Sequence, residues 1–133
     1  MLILTVKSHF DAAHRLCNYE GKCARIHGHT WQIEASVGGE KLDSTGMLID
    51  FSKLKKILKN ILEQFDHCYI NEAVEAFQEI NPTAENLAKY IFSCLVEELK
   101  QENKEVAVLS VKVWESPEAC AVYFPGEVGV VGI

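Results

Sequence analysis

Proline is scarce in this sequence, three residues in 133, and no Gly-x-Gly-x-x-Gly dinucleotide fingerprint occurs in it. A composition of 48% hydrophobic and 24% charged residues with so little proline excludes collagen-like and disordered chains. Positive charge is in deficit. Thirteen Lys and Arg face nineteen Asp and Glu, a net charge of −6, which argues against a general binder of nucleic acid or anionic membrane. An anionic ligand must then be met by a local basic cluster. No apolar run approaches the ~20 residues that a membrane span needs. Met1 to Val6 is apolar, but it stops at Lys7 and has no basic start, so it reads as a strand and not as a signal peptide. Paired cysteine spacing is lacking too. Five cysteines is an odd count, and without an export signal they suggest reduced thiols in a cytoplasmic protein. Neither a linker nor a repeat breaks the chain, so residues 1–133 are expected to form a single domain.

What is present is strong periodicity. Leu2, Leu4, Val6 and Phe10 fall on even positions, the period of a half-buried strand. His27, His29, Trp31, Ile33, Ala35 and Val37 repeat that pattern, and Gly38-Gly39 offers a turn after them, which suggests the second strand of a long hairpin. Asp50 or Ser52 can cap a helix in which Phe51, Leu54, Ile57, Leu58, Ile61, Leu62 and Phe65 recur at three- and four-residue steps. A loop around Glu72 to Ile80 precedes Asn81-Pro82-Thr83, which starts a second helix with the stripe Leu87, Ala88, Ile91, Phe92, Leu95, Val96 and Leu99, ending near Asn103. Val106 to Glu115 and Ala119 to Phe124 read as two further strands joined tightly through Ser116-Pro117-Glu118. The order ββααββ favours an α+β fold, an antiparallel sheet with helices packed on one face.

Residues able to do chemistry gather in four places. His27 and His29 share one face of a strand, and hairpin pairing can bring His14 alongside, giving three imidazoles suited to a zinc ion with one position left open. The competing reading is two packed aromatics and one solvated histidine. Cys23 lies four residues before His27, beside Lys22 and Arg25, which favours a thiolate able to act as base or nucleophile. It also suits a fourth zinc ligand or a small buried residue. Cys17, Cys68, Cys94 and Cys120 are expected in the core. Asp66-His67 follows the first helix, where a carboxylate can orient an imidazole for proton relay; a histidine capping the helix C-terminus is the competing reading. Glu115 ends the otherwise apolar face Ala107, Leu109, Val111, Val113, so it needs either a donor or solvent at the strand end.

Taken together, Phe10-Asp11-Ala12-Ala13-His14-Arg15-Leu16, Gly21-Lys22-Cys23, His27-Gly28-His29, Ile49-Asp50-Phe51, Phe65-Asp66-His67 with Asn71, Asn81-Pro82-Thr83-Ala84-Glu85-Asn86-Leu87-Ala88 and Glu115 resemble the 6-pyruvoyltetrahydropterin synthase family. Within it they are most similar to the bacterial 6-carboxytetrahydropterin synthase branch of queuosine biosynthesis. The motifs run in order from about residue 3 to about 124, and nothing is assigned to residues 126–133.

The resemblance implies a tunnelling fold, a four-stranded antiparallel sheet with two helices on one side, assembled as trimers or dimers of trimers with active sites at subunit interfaces. It implies zinc ligands at His14, His27 and His29, a catalytic cysteine at Cys23, a proton-relay pair at Asp66 and His67, and a pterin-anchoring carboxylate at Glu115. The implied substrate is 7,8-dihydroneopterin triphosphate, with Arg15, Lys22 and Arg25 as candidates for its phosphates. Nucleic acid and membrane are not expected partners. Ser116 stands where relatives often carry Thr, and Cys23 argues against a folate-serving subgroup that carries Glu at that position. A 6-pyruvoyl product, from the same residues, a different tunnelling-fold pterin or purine enzyme, which Cys23 with His27-Gly28-His29 disfavours, and a non-enzymatic zinc module closed by Cys23 remain the alternatives.

Overall fold

A computed structural model describes residues 1–103 and 105–126; the remainder of the expected 1–133 domain lies outside the described residues. Two thirteen-residue strands form its centre, β1 (Leu2–His14) and β2 (His27–Gly39), paired antiparallel from Leu2 opposite Gly39 to His14 opposite His27. A single 3-10 turn, Lys22–Ala24, lies in their connection. Helix α1 (Phe51–Leu62) follows, capped by the Asp50 carboxylate, which accepts from Ser52 N at 2.8 Å. A two-residue strand β3 (Cys68–Tyr69), a short helix α2 (Ile70–Ala73) and a 3-10 turn (Glu75–Phe77) come next. Helix α3 (Ala84–Glu102) is capped by Thr83, whose hydroxyl accepts from Asn86 N. Strands β4 (Ala107–Ser116) and β5 (Ala119–Tyr123) complete a sheet in the order β3-β1-β2-β4-β5.

One face of this sheet carries the core. Val6, Phe10, Trp31, Ile33, Ala35, Val37, Val111 and Val113 meet Leu54, Leu58 and Leu62 of α1 and Leu87, Ile91 and Leu95 of α3, all buried. The period-two and period-3.6 stripes are thus the two halves of one apolar layer. The opposite face presents Thr5, Lys7, Asp11, Thr30 and Gln32, which are exposed.

The structure departs from the sequence reading in five places. Gly38 and Gly39 are strand residues, not a turn. A Cβ on Gly39 would lie 2.9 Å from the Glu105 carbonyl oxygen and 2.7 Å from Leu48 Cδ1, so these glycines serve close packing. Helix α1 ends at Leu62, and Phe65 reaches the core from the turn beyond it, while Phe51 is exposed. The expected loop from Glu72 holds the end of α2 and a 3-10 turn, fixed by buried Val74 and Phe77. The four long strands are joined by β3, whose pairing with β1 at Ala12 and Ala13 is parallel. Two cysteines also leave the core: Cys17 lies exposed in the β1–β2 connection and Cys120 exposed on edge strand β5, while Cys68 and Cys94 are half-buried.

Gly39→Ala is expected to destabilise the fold by about 1–3 kcal/mol, since the backbone carbonyl of Glu105 cannot yield as a side chain can. Urea unfolding of the two proteins measures it.

Candidate active site

The β1–β2 register sets His14 directly across from His27, and Ala12 across from His29. All three imidazoles therefore stand on the core face at one end of the sheet, over the buried indole of Trp31. His14 is 1% exposed, and its Nδ1 donates to the Pro82 carbonyl at 2.7 Å. His27 Nδ1 donates to the Arg25 carbonyl, also at 2.7 Å. A carbonyl only accepts, so both Nδ1 atoms carry a proton, and a ring whose one proton sits there presents a bare lone pair at Nε2. Those two Nε2 atoms lie 3.0 Å apart. His29 Nε2 is buried and has no hydrogen-bond partner among the described residues. Burial pushes the titration of His14 and His29 below the ordinary histidine range, which keeps both rings neutral.

Glu115 joins this group through a break in strand pairing. Trp114 pairs with Cys120 and Ser116 with Ala119, so Glu115 is the extra residue of a β-bulge, a device that re-aims a side chain. Its Oε1 lies 3.3 Å from His14 Nε2 and 3.2 Å from His29 Nε2.

The donor set fits a divalent metal. Three imidazole nitrogens and a carboxylate oxygen lie within 4.8 Å of one another. With both Nδ1 protons committed to carbonyls, lone pairs face lone pairs at about 3 Å. A cation between them removes that repulsion, and nitrogen with oxygen donors in this number suits zinc.

A second group, Asp11, Asp66 and His67, lies at the C-terminal side of α1. Asp11 N–H donates to Asp66 Oδ1 at 3.1 Å, and His67 N–H donates to the Asp11 carbonyl at 2.6 Å. These bonds hold the dipeptide against β1 while His67 adopts the left-handed φ of 57°. Asp66 Oδ2 lies 3.0 Å from His67 Nδ1, and the Asp11 N–H holds the Asp66 carboxyl below the usual carboxylate range. His67 is therefore an exposed imidazole held beside the Asp66 carboxylate.

A protein-family model described as 6-pyruvoyl tetrahydropterin synthase matches residues 3–126 of this chain. The chain belongs to that family. A Synechocystis protein named 6-carboxy-5,6,7,8-tetrahydropterin synthase is 35% identical, over 93% of this chain and 94% of its own length. A Bacillus subtilis protein of the same name is 33% identical, over 93% and 86%. The structure of Caenorhabditis elegans 6-pyruvoyl tetrahydropterin synthase superposes with a TM-score of 0.80 at 31% identity, covering 95% of this chain and 98% of that one.

Seen as a 6-pyruvoyl tetrahydropterin synthase family member, the chain gathers its expected site residues into two groups and leaves Cys23 in neither. Cys23 sits half-buried in the 3-10 turn, its carbonyl accepting from Leu16 N–H at 2.8 Å. Its loop is clamped twice. Asn71 accepts from Arg15 N–H and donates to the Arg15 carbonyl, and Asn81 does the same to Cys17. Arg15, Lys22 and Arg25 are exposed in this connection. The sequence reading quoted both asparagines without giving them a task, and it missed the Asp11 backbone altogether. Nothing in residue type marks a main-chain donor.

A left-handed non-glycine residue costs roughly 1–2 kcal/mol, and the exposed pair it forms with Asp66 returns little. His67→Gly is therefore expected to raise stability by about 1 kcal/mol, read as a higher urea midpoint.

Proposed function

We propose that this protein is a zinc-dependent lyase converting 7,8-dihydroneopterin triphosphate to 6-carboxy-5,6,7,8-tetrahydropterin, with release of acetaldehyde and triphosphate. The observation that carries the reading is the convergence of His14, His27 and His29, with the Nδ1 protons of His14 and His27 committed to carbonyls, in a chain that matches the family model over residues 3–126. The names of the Synechocystis and B. subtilis relatives favour the 6-carboxy product; a place in queuosine biosynthesis rests on the resemblance of the sequence motifs to that branch.

Each residue has a task in this reading. His14, His27 and His29 hold the zinc ion. When bound, zinc supplies Lewis acidity to the side-chain oxygens of the substrate and so acidifies the neighbouring carbon-bound proton. The Cys23 thiolate takes that proton. His67, held by Asp66, carries protons in the later steps. Glu115 accepts from the ring amide and exocyclic amine of the pterin. Arg15, Lys22 and Arg25 meet the triphosphate from their exposed loop. Because Cys23 belongs to neither side-chain group of its own chain, the relay pair is best supplied by a neighbouring copy, in a trimer or dimer of trimers.

A second reading, a 6-pyruvoyl product, draws on the C. elegans likeness. Mass spectrometry of the products formed from 7,8-dihydroneopterin triphosphate with zinc separates the two. 6-Carboxytetrahydropterin with acetaldehyde is the expected result, 6-pyruvoyltetrahydropterin supports the second reading, and unchanged substrate with zinc bound and the oligomer intact removes both.

Cys23→Ala is expected to keep its zinc and lose about 10²- to 10⁴-fold in kcat, the range for a positioned proton-transfer group. Loss of zinc together with stability would instead make Cys23 a structural ligand. Zinc content and turnover measured on one preparation decide it.

A further inference from the structure

Glu115 has a second role available to it. We propose that its carboxylate is the fourth protein ligand of the metal at rest, and that pterin binding takes the carboxylate away and opens the coordination position; this rests on the metal reading above.

The distances argue for it. Ligand atoms about 2.0–2.1 Å from a zinc ion at the corners of a tetrahedron lie about 3.3 Å from one another. The separations observed here are 3.0 Å between the Nε2 atoms of His14 and His27, 3.3 Å from Glu115 Oε1 to His14 Nε2, and 3.2 Å from Oε1 to His29 Nε2. Glu115 Oε1 thus lies at ligand-to-ligand spacing from two of the three imidazoles. His29 Nε2 is close to Oε1 yet makes no hydrogen bond with it, the relation of two ligands around one ion. Cys23, the fourth ligand that the sequence spacing offered, is absent from the group.

The bulge supplies the means of movement. Glu115 is the bulged residue between Trp114 and Ser116 and its side chain is 36% exposed, which leaves the carboxylate room to turn. A cleft of about 510 Å³ bordered by His29, Gln32, Trp114, Glu115 and Ser116 opens beside it. A flat heterocycle with two adjacent N–H donors that enters there competes with the metal for the same oxygens. Four protein ligands describe a closed metal site, whereas catalytic zinc keeps one position open. Substrate recognition by Glu115 would then itself create the open position, and the metal stays closed until the correct ring arrives. Linkage is reciprocal, so pterin weakens the hold on the metal by the factor by which the metal weakens pterin binding.

Cobalt(II) in place of zinc tests this, because its visible absorption reports coordination. The full-length oligomer, Glu115→Gln, which keeps the side-chain shape, and Glu115→Ala are compared, with circular dichroism to verify folding. Both variants are expected to show a shifted visible band, because water takes the position that the carboxylate leaves, and to release metal to a chelator at concentrations about ten-fold lower or more, the scale on which even groups behind the ligands act. Saturating pterin, its binding followed by its own fluorescence, is expected to shift the wild-type spectrum toward that of the variants and to leave theirs unchanged. Identical spectra and metal retention in all three proteins would overturn the proposal, as would a wild-type spectrum indifferent to bound pterin. A wild-type protein that takes up neither cobalt nor zinc overturns the metal reading as well, and shows itself before any variant is made.

Discussion

The register between β1 and β2 is the constraint on which the rest of the site depends. Strand side chains alternate faces, so a slip of one residue would turn Phe10 and His14 out of the core layer together. The same pairing that buries Val6 and Phe10 against Leu54 and Leu58 therefore delivers His14 across from His27. Packing and the placement of these imidazoles are one choice. The apolar layer holds the register against slippage, and the imidazoles at its end inherit that precision without a dedicated loop.

Beyond the histidines, the site relies on backbone groups. The Pro82 and Arg25 carbonyls choose the tautomers of His14 and His27, and the Asp11 peptide groups fix Asp66 and His67. Such contacts orient the groups they touch, the function that outer hydrogen bonds serve around metals. The segment Asn81-Pro82-Thr83 illustrates the economy: Asn81 clamps the loop at Cys17, Pro82 aligns His14, and Thr83 caps α3.

How much of this was legible in the sequence follows from where the information lies. Periodicity marked the four long strands and the two long helices, because burial on one face selects side-chain type at every second or every third to fourth position. The histidine triad was legible because strand alternation and hairpin pairing are simple geometry. Gly38-Gly39 was misread because glycine serves a turn and a close approach equally well, and only the neighbours Leu48 and Glu105 distinguish them. Cys17 and Cys120 were misplaced because a small apolar side chain carries no positional signal of its own. β3 is two residues long, below the length at which any period can be seen. The need of Glu115 for a partner was readable from its apolar strand, whereas the bulge that aims it arises from pairing with β5.

The asparagine clamps have a consequence for motion. Asn71 lies in α2 and Asn81 beyond the turn that follows it, and each holds both main-chain groups of a residue in the β1–β2 connection, at sequence separations of 56 and 64. Neither stretch can detach alone without stripping four hydrogen bonds from the other. The two open as a single cooperative unit, so the amides of Arg15 and Cys17 exchange with solvent at the pace of a segment more than fifty residues away.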